Sequence, residues 1–337
     1  MHVEPRLDGV VEQTEEAWLR IVLRQEVVVV AIFREVVVVP PAEIGGIVGL
    51  HENDVRAVCE IFRIKAACAG QTAPLLTITN LGETGGFSSD LAHTVLTDEG
   101  VQARLFDNIV SLIREKDYYG LNINFEYIYP FDRDSYSQFV RRAAERLHPL
   151  GCPVSTAIAP KESGSQQGLL YTAHDYEAHG RYADRVILMT YEWGYTFGAP
   201  QAISPVNRIR RVLDYAVTVI PRRKILLGIS NYAYDWTLPW KQGSAARILS
   251  DAAAVELAVS RGAEIRFDET AAAPWFNYVD AERRAHVVWF EDARSVLARL
   301  RLVEEYRLAG ISIWTINQRN RPLWKVIEGA FNAEKLL

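Results

Sequence analysis

The chain has 337 residues, 49% of them hydrophobic, which is enough to bury either one large α/β barrel or two ordinary domains. Its formal net charge of −5, with no run of five or more like charges, disfavours nucleic acid and anionic membranes as partners and favours a neutral, hydroxyl-rich ligand. The longest apolar runs, Val27–Phe33 and Val36–Ala42, fall far short of the ~18 residues of a membrane span, so no membrane insertion is expected. The opening MHVEPRLDGVVEQTEE has neither a basic n-region nor an apolar h-region, and no signal peptide is expected from it.

Taken in chain order, a stub at His2–Glu4 can serve as a first strand ahead of a helix over Leu7–Arg24. Val27–Phe33 reads as the next strand, and Asp54 as the N-cap of a helix over Asp54–Ala69. Strands then alternate with helices: Leu75–Thr79, helix Val101–Lys116, Leu121–Glu126, helix Arg133–Leu147, Val154–Ala159, Arg185–Tyr191, helix Pro205–Val219 behind Ser204 as N-cap, Ile225–Ile229, helix Ala293–Tyr306 and Ile311–Thr315. That alternation predicts a parallel sheet with crossover helices, and eight strands close a (β/α)8 TIM barrel formed as a single domain by residues 1–337. The crossover between strands 7 and 8 is too long for one helix and holds strand candidates of its own, Glu264–Asp268, Trp275–Val279 and His286–Phe290. With no Pro/Gly/Ser-rich linker at its borders, it reads as a small α+β insertion over residues 232–292. Cys59, Cys68 and Cys152 are odd in number and lack CxxC spacing, which predicts reduced, packed thiols. His174 and His179, beside Asp175 and outside any HExxH pattern, are expected on a surface loop with no metal.

Active-site side chains of α/β barrels sit at the carboxyl ends of the strands. In YYGLNINFEYIYP the polar residues Asn122, Asn124 and Glu126 alternate with Leu121, Ile123 and Phe125, so the amides and the acid share one face of a strand. The strand Arg185–Tyr191 runs into Tyr191, Glu192, Trp193 and Tyr195; Ile225–Ile229 runs into Tyr232, Tyr234, Asp235 and Trp236; the last strand carries Trp314. Aromatic rings beside carboxylates suit a sugar, whose ring faces stack while its hydroxyls take hydrogen bonds. Glu126, flanked by amides that cannot neutralise it, is the candidate general acid with a raised pKa. Common glycosidases need a second carboxylate. Glu83, Glu192 and Asp235 are available on other strand ends.

The blocks YYGLNINFEYIYPFDRDSYSQFVRR, STAIAPK, RVILMTYEWGYTFGAP, YDWTLPW and HVVWFEDARSV resemble the family 18 glycoside hydrolases, within them the branch of spore-cortex-lytic N-acetylglucosaminidases, here without the LysM repeats that often precede the catalytic barrel. The resemblance implies a retaining mechanism in which the substrate's 2-acetamido oxygen attacks the anomeric carbon, which accounts for a lone Glu126. It further implies that Tyr191 holds the acetamido group, that Trp314 floors the sugar subsite and that Glu192 stands where many members have Asp. Asn122, Trp193, Tyr232, Asp235 and Trp236 complete the expected substrate-binding set. No metal or organic cofactor is implied. The resemblance implies peptidoglycan or another N-acetylglucosamine-containing glycan as partner and a spore-associated location; the chain's own residues, with no signal peptide expected, imply a cytoplasmic one. The sequence departs from the family motif at Asn124 and Asn122, both commonly Asp. A catalytically silent glycan-binding relative and a chitinase are the alternatives.

Overall fold

The computed structural model describes residues 28–31, 72–82, 85–315, 318 and 320–331. Short runs rich in Leu, Ile and Val form parallel strands, and those from β2 onward are largely buried. These are β1 (Val28–Ala31), β2 (Leu75–Thr79), β3 (Gly120–Asn124), β4 (Val154–Ile158), β5 (Arg185–Leu188), β6 (Ile225–Ser230) and, after five further strands given below, β12 (Gly310–Trp314). Their order across the sheet is β1-β12-β6-β5-β4-β3-β2. The two strands earliest in the chain therefore stand at opposite edges of the described sheet.

This order corrects the expected start of the barrel. Val28–Ala31 lies directly beside the last strand, with Val28 opposite Gly310 and Ala31 opposite Ile313, in the position the His2–Glu4 stub would have needed. The stub itself, the helices expected over Leu7–Arg24 and Asp54–Ala69, Cys59, Cys68 and Glu83 lie outside the described residues.

Helices cover the sheet: α1 (Ser89–Thr97), α2 (Glu99–Lys116), α3 (Arg133–Leu147), α4 (Tyr176–Tyr182), α5 (Val206–Val219), α7 (Ala293–Tyr306) and α8 (Arg321–Ala330), with α6 (Asp251–Ser260) in the insertion. The stripe Tyr136, Phe139, Val140, Ala143 and Leu147 on α3 repeats every three to four residues and is buried throughout. Phe139 stacks on Phe106 of α2 and on Phe125, with ring centroids 5.1 and 5.5 Å apart. Burying such a side chain contributes about 1.5–3 kcal/mol. Starts are fixed by side-chain caps: Ser88 and Asp98 for α1 and α2, and an Asp292/Ser295 capping box for α7. Ser204 does not cap α5 as expected; Pro205 holds that position, and the Ser204 hydroxyl donates instead to the Thr190 carbonyl.

Between β6 and β12 the chain builds an antiparallel sheet from β7 (Tyr232–Leu238), β8 (Arg247–Ser250), β9 (Arg266–Asp268), β10 (Ala273–Val279) and β11 (Ala285–Trp289), in the order β8-β7-β11-β10-β9. This is the expected insertion, and it has its own small core around Ala233, Ala254, Phe276 and Val288. Among the described residues no helix is long and apolar enough to cross a membrane.

Candidate active site

The period-two pattern of β3 sorts its side chains by face. Leu121, Ile123 and Phe125 join the core under the helices, Phe125 lying parallel to Tyr136 at 5.9 Å, so Asn122, Asn124 and Glu126 face inward. The strand ends at Asn124, two residues short of the expected limit, and Glu126 lies just beyond it. Asn122 is fully buried and accepts from the Ser155 hydroxyl of β4 at 2.9 Å. The Asn124 amide donates to the Glu126 carboxyl, which leaves its own Oδ1 without a hydrogen-bond partner among the described residues.

Burial is the main cause that pushes Glu126 up to about 7; the Glu192 charge adds to the rise and the Asn124 hydrogen bond opposes it. A carboxyl with that pKa is present at neutral pH in both its protonated and its charged form, so it can give up a proton and take one back. Tyr191 follows β5. A Cβ on Gly228 of β6 would come within 2.8 Å of the Tyr191 ring and 2.4 Å of the Leu188 carbonyl, so only glycine lets the ring settle against the sheet there. Burial and the nearby charges of Glu126 and Glu192 raise the Tyr191 pKa, keeping it a hydrogen-bond donor. Glu192 has a positive φ of 64°, uncommon for a residue with a side chain. Its carboxylate accepts from the hydroxyls of Tyr232 and Tyr234, the latter at 3.0 and 3.1 Å.

Strand β7 divides the remaining candidates. Tyr232, Tyr234 and Trp236 share a face and cluster with Tyr191, Trp240, Trp275, Trp289 and Trp314. Asp235 is on the opposite face, where its carboxylate is taken by Arg247 at 2.9 Å, Tyr278 at 2.8 Å and His286 at 2.8 Å; it serves the insertion rather than the barrel mouth. Trp236 is 1% exposed with its indole N–H on the Gly198 carbonyl, and so offers no open ring face. Trp193 packs on the barrel core with the Arg208 guanidinium over its ring, apart from the cluster around Trp314. The structure thus brings Glu126, Asn124, Asn122, Tyr191, Glu192, Tyr232 and Trp314 together, holds Trp236 in the same aromatic cluster but closed off from solvent, and places Trp193 and Asp235 apart from it.

Three residues were missed in the sequence. Trp275 and Trp289 sit opposite each other on β10 and β11, stacked at 5.8 Å, and extend the aromatic wall. Asn80, just past β2 and 1% exposed, receives the Glu126 N–H and donates to the Glu126 carbonyl. The tryptophans could have been found from their place in the insertion's strand candidates; Asn80 gave no local signal.

The paired histidines are not on a surface loop. His174, just before α4, and His179, on α4, are 1% and 0% exposed, with Tyr136 of α3 edge-on to His179 at 4.8 Å. Burial depresses both, to about 4 and about 3 from 6.5. A histidine neutral in the fold but protonated in the unfolded chain contributes stability above pH 6.5 that drains away as pH falls toward its folded value. Stability should accordingly decline by a few kcal/mol between pH 6.5 and 4. Urea midpoints across that range would measure it, and His179→Asn should flatten the decline.

A parallel barrel whose strand ends gather a neutral-range carboxyl, amide side chains and aromatic rings is the architecture of a carbohydrate-active enzyme. The chain belongs to the glycosyl hydrolases family 18, whose family model matches residues 57–318. It is similar to the cortical fragment-lytic enzyme of Bacillus subtilis (strain 168), at 46% identity over 78% of this chain and 61% of that protein. The crystal structure of the Bacillus cereus spore cortex-lytic enzyme SleL matches with a TM-score of 0.79 at 40% identity, over 82% of this chain and 64% of the other. A chitinase structure from Chromobacterium violaceum ATCC 12472 matches with a TM-score of 0.78 at 26% identity, over 90% and 91%. The chain spans 61–62% of the length of the cortical fragment-lytic relatives.

Proposed function

We propose that this chain is a retaining N-acetylglucosaminidase that acts on peptidoglycan, that of the spore cortex foremost, by substrate-assisted catalysis, and that it is spore-associated. The carrying observation is the pairing of one neutral-range acid, Glu126, with a neighbouring amide, Asn124, whose buried Oδ1 has no hydrogen-bond partner among the described residues. Among the described residues the carboxylate acting on Glu126 is Glu192, whose oxygens already accept from Tyr232 and Tyr234, which leaves it poorly disposed to serve as a nucleophile.

In this reading Glu126 protonates the departing glycosidic oxygen while the acetamido oxygen of the same sugar attacks the anomeric carbon, giving a cyclic oxazolinium. The Glu126 carboxylate then takes a proton from the water that opens it, restoring the acid and the original configuration. The Tyr191 hydroxyl donates to the acetamido oxygen, Asn124 Oδ1 accepts the acetamido N–H, and Trp314 stacks beneath the ring. Digesting cortex fragments and identifying the new reducing ends by mass spectrometry tests the assignment; ends other than N-acetylglucosamine, or no cleavage, would overturn it.

Asn124 also distinguishes a working site from a silent glycan-binding one. Asp at 124 would place a negative charge beside the forming oxazolinium, so a hydrolase should gain rate, roughly tenfold for about 1.4 kcal/mol of added stabilisation. The same change removes the hydrogen bond that lowers the Glu126 pKa and adds a like charge, both of which raise it, so activity should persist to higher pH than in the parent. Initial rates across pH for parent and Asn124→Asp measure both effects. Inactivity in both forms would favour the binding protein.

A further inference from the structure

Glu126 lies beyond the last residue of β3, where no strand partner fixes its peptide. Side chains do so instead. Its N–H donates to Asn80 Oδ1 at 2.9 Å and its carbonyl accepts from Asn80 Nδ2 at 2.8 Å, so one primary amide pairs with one peptide as a neighbouring strand would. Asn80 is itself anchored, its Nδ2 also reaching the Ser88 carbonyl at 3.0 Å and its own carbonyl receiving the Ser88 N–H at 2.8 Å. On the other side, His174 Nε2–H donates to the Phe125 carbonyl at 3.1 Å while its Nδ1 accepts the Ala159 N–H at 2.7 Å. That second contact fixes the tautomer, because only an unprotonated Nδ1 can receive an amide hydrogen.

We propose that Asn80 and His174 are positioning residues for Glu126, extending the sheet past β3 with side chains in place of strands and so aiming the carboxyl at the leaving oxygen. This rests on Glu126 being the acid. Misplacing a catalytic group by about 1 Å can cost about 10²-fold in rate, whereas substrate affinity depends on the surrounding rings and amides.

The pair to compare is Asn80→Ala, which removes both contacts, and Asn80→Asp, which keeps the shape and the acceptor but loses the donor. On natural glycan, each should lose about 10–10²-fold in kcat per folded molecule, with KM changed less than about threefold. A 4-nitrophenyl glycoside of N-acetylglucosamine has a leaving group that needs little protonation, so both variants should lose far less on it. A core variant, Val212→Ala on α5, should lower thermal stability without changing kcat in either assay, because Val212 is buried under the helix layer. Equal losses on both substrates, or losses that merely follow thermal stability, would make Asn80 a structural residue only and overturn the proposal. An active parent with unaltered Asn80 variants would overturn it too, leaving the functional reading intact. An inactive parent would bring down both.

Discussion

Glu126→Gln should lower kcat on cortex fragments by about 10²–10⁴ while leaving glycan binding nearly unchanged. The amide keeps the shape and the backbone contacts to Asn80 but has no acidic proton for the glycosidic oxygen and no charge to activate water. The pH dependence gives a second readout. With the acid near 7, kcat/KM of the parent should fall as pH rises through about 7, because the reactive form of the free enzyme is the protonated one. Whatever activity survives in the variant should lack that limb. Hydrolysis at the parental rate, or an unchanged limb, would show that another group supplies the proton.

The acid and its amides were legible because β3 is buried on both faces yet alternates chemically, apolar toward the helices and polar toward the axis. Its end was not legible. Phe125 and Glu126 continue the period-two pattern, and what stops the ladder is a side chain 46 residues earlier in the chain, Asn80, standing in for a strand. The same limit misplaced the barrel's start: Val28–Ala31 has the composition of any buried parallel strand, and only its pairing with Gly310–Ile313 identifies its neighbour.

The insertion was underread for a different reason. The run Tyr232, Tyr234, Trp236 is itself period-two and forms β7, whose alternation sets Asp235 behind the aromatics; reading these residues as one group that follows Ile225–Ile229 misses that alternation. The burial of His174 and His179 is not legible locally, because polar side chains next to Asp175 have the composition of an exposed loop. Their burial follows from partners distant in sequence: the Phe125 carbonyl and the Ala159 N–H for His174, and the Thr156 hydroxyl for His179.

Arg299→Ala should destabilise the protein by about 3–5 kcal/mol, the cost of leaving a buried charge without its partner. Arg299 is 0% exposed and Glu291 2%, joined by Arg299 Nη2 to Glu291 Oε1 at 3.0 Å, where Ser230 of β6 also donates at 3.2 Å. The guanidinium further donates to the carbonyls of Ser204 and, at 2.6 Å, Ser295. Asp251, at the start of α6, accepts the Glu291 N–H at 2.8 Å and the Asn320 amide at 2.7 Å, so the network ties the insertion to the barrel and to the cap of α8. Burial raises the pKa of both carboxyls and the Arg299 charge works against it. Without that cation their folded values would rise further above the unfolded ones, and such groups lose stability as pH rises. The deficit of Arg299→Ala should therefore be larger at pH 8 than at pH 5. The arrangement is incompletely paired, with Glu291 Oε2 and Arg299 Nε lacking partners among the described residues, so it should add little net stability over an apolar substitute. Arg299→Met combined with Glu291→Leu should then cost less than Arg299→Ala alone. Denaturant unfolding of parent, single and double variants at both pH values would measure this. A double variant worse than the single one would mean that the ion pair itself, rather than the penalty of breaking it, holds the insertion against the barrel.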